Sequence, residues 1–351
     1  MTRPLISVIC PAYDRPQHIG PLLESVLAQD FDDWECVVTD DHSPSRDATK
    51  AILDEYSRKD SRIRGYVNDE NLGYDGAFRR LVGLARGRYL FVMGDDDFVA
   101  PGAFRAVADA VERHPNLGVI LRAYAFFRDT PDNVIQVNRY YEQETVFPAG
   151  AQAIVAVYRR IVSMSGLVLD RDLALAVATN RFDGSLFYQH WLAANILIEK
   201  DAVYIPTVLA YFRRGGIPLF GRAKAEQGIY TPGAQPPDTD LKMLTSLMAI
   251  AEAVEKDRGV KIAELIRRDH ANYMYPTFAH QAHQPRAVFY KFYRDLGKLG
   301  FSRYALFHFW FWAVALVGPR RIDRVLQFVR RRVGHTPNIS RFARAKASPA
   351  S

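Results

Sequence analysis

The sequence predicts an α/β fold: a mostly parallel sheet flanked by helices, with a C-terminal helical appendage. Three observations carry this. Short apolar runs alternate with helix-like stretches through the first 115 residues, the pattern of parallel strands joined by crossover helices. Polar clusters follow the apolar runs, at the strand ends where open sheets of this kind bind ligands. Beyond residue 240 the strand pattern gives way to helices.

Taken in order, residues 6–11 (ISVICP) read as a first strand, and 17–29 as a helix with Ile19, Leu22, Leu23, Val26 and Leu27 along one side. Residues 35–39 form a second strand, followed by a helix over 46–58. Residues 63–67 form a third, followed by a helix over 75–85. Residues 89–93 form a fourth, and the helix over 101–113 opens on Pro101, which suits a first turn. A second block holds a strand over 118–127, a helix near 149–160 and the segment 182–198. Residues 215–238 contain GGIPLFG and TPGAQPPD, too long and too rich in Gly and Pro for a simple turn, and read as a lid or linker.

The chain has 351 residues, 48% hydrophobic and 24% charged, the composition of a folded protein and not of a disordered or repetitive one. Its net charge of +7 is unevenly spread. Residues 301–351 hold ten cations (Arg303, Arg320, Arg321, Arg324, Arg330, Arg331, Arg332, Arg341, Arg344, Lys346) against one acid, Asp323, so the first 300 residues are slightly acidic. Basicity confined to a tail argues against nucleic acid as the partner of the body and for an anionic surface met by the C-terminus. The N-terminus enters a strand at once, without the apolar stretch of a signal peptide. Cys10 and Cys36 both fall in apolar strand-like runs. These two features predict a cytoplasmic chain with reduced thiols.

The strand ends carry the chemistry. The first ends in Pro11, Ala12, Tyr13, Asp14 and Arg15, an aromatic and a cation at one rim. The second ends in Asp40 and Asp41, which either accept hydrogen bonds from a base or ribose or, with Ser43, shape a turn and cap a helix. The fourth ends YLFVMGDDDF, presenting Asp95, Asp96 and Asp97. Three adjacent carboxylates repel one another, and a hard divalent cation would offset that while leaving positions for phosphate oxygens. The sequence has no G-x-G-x-x-G after the first strand and no G-x-x-x-x-G-K-[ST], so a metal must hold any phosphates.

In this order and spacing, ISVICPAYDRP, VVTDD, Asn71 to Gly73 (NLG) and GRYLFVMGDDD resemble the family 2 glycosyltransferases with the Rossmann-like GT-A fold, over residues 5–215. The resemblance implies inverting transfer of a sugar from a nucleotide-diphosphate donor to an acceptor hydroxyl. It also implies that Pro11, Ala12, Tyr13 and Asp40 contact the nucleoside, with Arg15, Asp41, Asn71, Gly73, Arg79 and Asp95 completing the nucleotide site. Asp96 or Asp97 would then bind Mn²⁺ or Mg²⁺, and Arg213 and Arg214 would face the diphosphate. Two departures stand out. Arg79 fills a position where the family usually has Asn, and Gln189 and His190 occupy the place of its catalytic Glu-Asp pair. His190 then becomes the expected base, since its intrinsic pKa suits that work, with Asp183 as the alternative.

The organisation expected is a nucleotide-sugar-binding half over 1–115, an acceptor-binding half over 116–215, a flexible loop over 216–240 and a helical, basic region over 241–351. Residues 304–317 (YALFHFWFWAVALV) are too few to span a bilayer. Beside so many arginines they suit a helix lying on the inner membrane face, near a glycan or lipid-linked acceptor of cell-surface polysaccharide synthesis. A catalytically inactive nucleotide-binding module and a sugar nucleotidyltransferase are the alternatives.

Overall fold

The computed structural model describes residues 3–215, 219–336 and 346–347. Its centre is an eleven-stranded mixed sheet. The first four long strands are β1 (Ile6–Ala12), β2 (Trp34–Asp40), β3 (Ile63–Val67) and β4 (Tyr89–Val92), separated by α1 (Pro16–Leu27), α2 (Arg46–Lys59) and α3 (Gly73–Leu84). They lie parallel in the order β4-β1-β2-β3. β2 and β4 are buried throughout, as strands of a sheet covered on both faces are.

The second half departs from the parallel pattern. After the short β5 (Phe98–Val99) and α4 (Ala103–Arg113) come β6 (Leu117–Arg128), β7 (Thr130–Asn138), β8 (Thr145–Phe147) and α5 (Ala151–Tyr158). β9 (Leu167–Asp170) runs antiparallel between β4 and β6 and so joins the two halves into one sheet. Then follow α6 (Arg171–Ala176), α7 (Tyr188–Glu199) and β10 (Asp201–Arg213), which pairs parallel with β6. Residues 182–187 of the segment expected as one unit are irregular, with positive φ at Gly184 and Leu186, and the helix begins only at Tyr188.

Two apolar cores cover the two sheet faces. One gathers residues of α1, α2 and α4 under β1, β2 and β4. The other runs from Ile9, Phe78 and Leu90 through α5 and α7 into the C-terminal helices. Those helices are α8 (Pro237–Arg258), α9 (Ala263–Asn272), α10 (Tyr275–Gln281), α11 (Arg286–Lys298), α12 (Ala305–Val317) and α13 (Pro319–Val333). Phe278, fully buried, centres an aromatic cluster with Phe289, Phe292, Tyr293, Phe307 and Phe311. Truncating it to alanine would cost about 3–5 kcal/mol. A last short strand, β11 (Lys346–Ala347), pairs with β8. Among the described residues no helix is long and apolar enough to cross a membrane.

Candidate active site

The carboxyl ends of β1 and β4 open onto a cleft of about 490 Å³, within the roughly 300–1,000 Å³ of small-molecule sites. Pro11, Ala12, Tyr13 and Arg15 form one side. Asp41, Asn71 and Gly73 continue it, and Asp95, Asp96 and Asp97 make the floor. The structure thus brings together ten of the residues expected at the site.

The acidic turn is tied from three sides. The Tyr13 backbone N–H donates to Asp95 at 3.1 Å, and the Arg15 guanidinium lies 3.1 Å from Asp95 and 2.9 Å from Asp96. Ser165 Oγ donates to Asp97 at 2.6 Å and accepts the Gly94 N–H at 2.8 Å, while the Arg213 N–H donates to Asp97 at 2.9 Å. Burial pushes the Asp95 carboxyl up to about 6 against the pull of Arg15, and burial with the repulsion of Asp96 pushes Asp97 up to about 7. Carboxylates this uncomfortable in their anionic form gain from a divalent cation. The residues fit one as a partial shell. Asp96 faces the cleft with Arg15 as its ion partner, whereas both Asp97 oxygens already accept hydrogen bonds. Among the described residues no three His, Cys, Asp or Glu side chains converge into a ready-made cage, so ligand oxygens would have to complete the coordination.

Asp41 accepts from Asn68 Nδ2 at 2.7 Å and from the Leu72 N–H at 2.9 Å, and the Asn71 side chain accepts the Gly73 N–H at 3.0 Å. Burial raises the Asp41 carboxyl. The third side is residues 219–235, from the Gly- and Pro-rich stretch, which contribute Leu219, Phe220, Arg222, Ala223, Glu226 and Gln235. Glu226 pins this segment to α3, its two carboxylate oxygens accepting the Tyr74 N–H at 3.0 Å and the Gly221 N–H at 2.7 Å. Arg222 pairs with Asp14 at 3.3 Å beside the Tyr13 ring.

Six expected site residues lie elsewhere. Asp40 is fully buried and accepts the Ser43 N–H and hydroxyl at 2.7 and 2.8 Å; it shapes the turn after β2. Arg79 and Asp183 form a two-pronged ion pair with each other outside the cleft, so each neutralises the other. His190 has no exposed surface, and its ring packs edge-on against Tyr158 and Phe187 at 4.8 and 5.2 Å. Burial drives its pKa down to about 3, so the expectation of a catalytic base fails on access and on basicity. Its neighbour Gln189 is the one that lines the cleft, accepting from the Tyr74 hydroxyl at 2.9 Å. Arg213 and Arg214 stack on Phe127 and Phe126 at 4.9 and 5.2 Å and are not part of the cleft lining; Arg213 braces the acidic turn, its backbone N–H donating to Asp97 and its Nε to the Asp96 carbonyl at 3.2 Å. Ser165, Glu226 and Arg222 carry no motif, although a cation inside a lid-like loop was a signal open to reading.

The architecture is that of the GT-A glycosyltransferases. It superposes on S. aureus TarS in complex with UDP-GlcNAc with a TM-score of 0.60, at 15% identity, over 94% of this chain and 92% of that one. The mannosyltransferase PcManGT of Pyrobaculum calidifontis, in complex with GDP-Man and Mn²⁺, matches with a TM-score of 0.51 at 13% identity, over 93% and 88%.

Residues 7–160 match the family described as Glycosyl transferase family 2. A glycosyltransferase of Methanocaldococcus jannaschii is 26% identical over 137 residues, 39% of this chain and 47% of the relative. The Campylobacter jejuni GalNAc(5)-diNAcBac-PP-undecaprenol beta-1,3-glucosyltransferase is 32% identical over 101 residues, 28% and 32% of the two chains. The matches span less than half the length of these relatives.

Proposed function

We propose that this chain is an inverting glycosyltransferase that moves a sugar from a nucleotide-diphosphate donor to a hydroxyl of a glycan or lipid-linked acceptor in cell-surface polysaccharide synthesis. The observation that carries the reading is the acidic turn of Asp95 to Asp97 on the floor of a cleft whose other sides hold Tyr13, Arg15 and a closing loop. Tyr13 and Asp41 suit the nucleoside, one by its ring and the other by its acceptor oxygens. Arg15 and Arg222 take the role first expected of Arg213 and Arg214, facing the anionic diphosphate. Asp96, with Asp97 behind it, would hold Mn²⁺ or Mg²⁺, which when bound supplies Lewis-acid stabilisation of the leaving diphosphate. The likeness to relatives whose names specify UDP-GlcNAc, or GDP-Man with Mn²⁺, supports the donor class and the metal. The relative whose name specifies an undecaprenol-linked glycan supports the acceptor class. A reducing, cytoplasmic setting belongs to the same reading, because Cys10 and Cys36 are free and buried.

One observation favours a second reading, an inactive nucleotide-binding module: the cleft presents Gln189 where the family's acidic pair is expected, and an amide cannot take a proton. Calorimetric titration of UDP, dTDP and GDP with and without Mn²⁺, on wild type and Asp96→Ala, tests the donor site. Metal-dependent binding of one nucleotide, lost in the variant, is the expected result, and no binding of any overturns the assignment. Release of sugar from the matching donor then separates the enzyme from the module.

A further inference from the structure

The end of the chain carries a surface that the cleft does not use. α12 buries Phe307, Phe311 and Val314 in the core, and turns Phe309, Trp312 and Leu316 outward, 56%, 49% and 78% exposed, with Val317 beside them. These outward residues keep helical spacing, so they form a stripe and not a scatter. α13 continues it. Ile322 and Leu326 pack inward, while Val325 and Phe328 stand about 60% exposed on the outer face. Of the exposed large hydrophobics among the described residues, nearly half belong to these two helices.

The same face is basic. Arg320, Arg321, Arg324 and Arg332 are exposed, and none forms an ion pair among the described residues. Arg332 lies over the Phe328 ring at 5.2 Å. The acid of this segment, Asp323, is turned to the Tyr275 hydroxyl, 2.7 Å away. Arg341 and Arg344 lie outside the described residues, as do the side chains of Arg331 and Lys346.

We infer that the outer face of α12 and α13 seats on an anionic lipid bilayer, with the helices lying in the headgroup layer. The occupant must satisfy exposed aromatic and aliphatic side chains and unpaired guanidinium groups at once, and acidic headgroups over acyl chains do both. A second copy of this chain would set arginines against arginines in a two-fold contact. Insertion across the bilayer is excluded for α12, whose 13 residues rise about 20 Å against a core of roughly 30 Å.

The test floats the full chain with vesicles of phosphatidylglycerol and phosphatidylcholine, and with phosphatidylcholine alone, at low and high salt. The expected result is flotation with the acidic vesicles at low salt, weakened by salt and absent with phosphatidylcholine. Arg321→Glu with Arg324→Glu should cut binding at least tenfold, and so should Trp312→Ser with Phe328→Ser. Circular-dichroism melting and nucleotide titration verify that both variants fold. The inference is overturned by absence of flotation with acidic vesicles, by equal binding of all variants, or by ultracentrifugation showing a dimer that the Trp312→Ser, Phe328→Ser variant dissociates. No sugar transfer enters the readout, so failure here leaves the proposed activity standing, and failure of that activity leaves this surface intact.

Discussion

Arg15 and Asp96 face each other at 2.9 Å in the lining of the cleft, and the same guanidinium nitrogen reaches Asp95 at 3.1 Å. The protein therefore supplies its own cation between two of the three adjacent carboxylates. Without it, the Tyr13 N–H would be left to oppose burial and the repulsion of Asp96 at Asp95.

This relationship fixes what Arg15→Ala should do. Removing the cation leaves the carboxylates without an internal counter-charge, so Mn²⁺ alone should bind more tightly than to wild type. Nucleotide in the presence of Mn²⁺ should bind more weakly, because a phosphate contact is lost. Calorimetry reads both, and a variant that moves both affinities in the same direction contradicts the assignment.

His190 supplies a prediction of a different kind. Its pKa is driven down to about 3 and that of His270 to about 4, in both cases chiefly by burial. A folded-state pKa below the ordinary 6.5 means that the unfolded chain takes up protons first. Stability is therefore full above pH 6.5 and is lost as pH falls toward 4 and 3. At pH 5 each histidine should cost about 2 kcal/mol. His190→Phe keeps a ring in the packed position and removes one of the two titrations. Denaturant titrations at pH 7.5 and 5 should show a smaller loss of stability in this variant, with donor turnover retained. An undiminished loss, or abolished turnover in a folded variant, would sink the structural role assigned to this residue.

How much of this could be read in advance follows from the physics of each element. The first parallel strands were legible because ISVIC, ECVV and YLFV are short, mostly apolar runs rich in β-branched residues and bounded by turn residues, and the rims at Tyr13, Arg15 and Asp95 to Asp97 come with them. β7 was not, since TPDNVIQVN carries Pro131, Asp132 and Asn133, residues that strands disfavour. The choice between Gln189 and His190 was closed to sequence reasoning for a definite reason. Every residue of α7 from Tyr188 to Leu197 is buried, so no polar stripe reports which way the helix is rotated. Asp40 and Asp41 point apart for the same kind of reason: adjacent residues at a strand end face opposite ways. The contact between Glu226 and Tyr74 spans 152 residues, and no local pattern encodes it.

Ser165 holds the acidic turn from β9's side, donating to Asp97 and accepting from Gly94. Ser165→Ala removes both bonds in a buried setting, at a cost of about 1–3 kcal/mol. The turn should also lose its register with Arg15, so metal-dependent nucleotide affinity should fall along with stability. A fall in melting temperature with unchanged affinity would show that the turn keeps its shape without the serine.

Glu226 governs the loop that closes the cleft. One oxygen takes the Tyr74 N–H at the start of α3 and the other takes the Gly221 N–H within the loop itself. In Glu226→Gln one acceptor is replaced by an amide NH₂, which faces a backbone donor and cannot accept from it. The loop should then open locally while the distant aromatic core around Phe278 is untouched. Arg222 and Lys224 are exposed on that loop, so trypsin should cut there faster in the variant, with little change in the global melting temperature. Bound nucleotide and Mn²⁺ should slow the cut in wild type more than in the variant, because closure over the ligand depends on the same two hydrogen bonds. Equal cutting rates, with and without nucleotide, would mean that the loop is held by its apolar contacts alone and that Glu226 does not control access to the cleft.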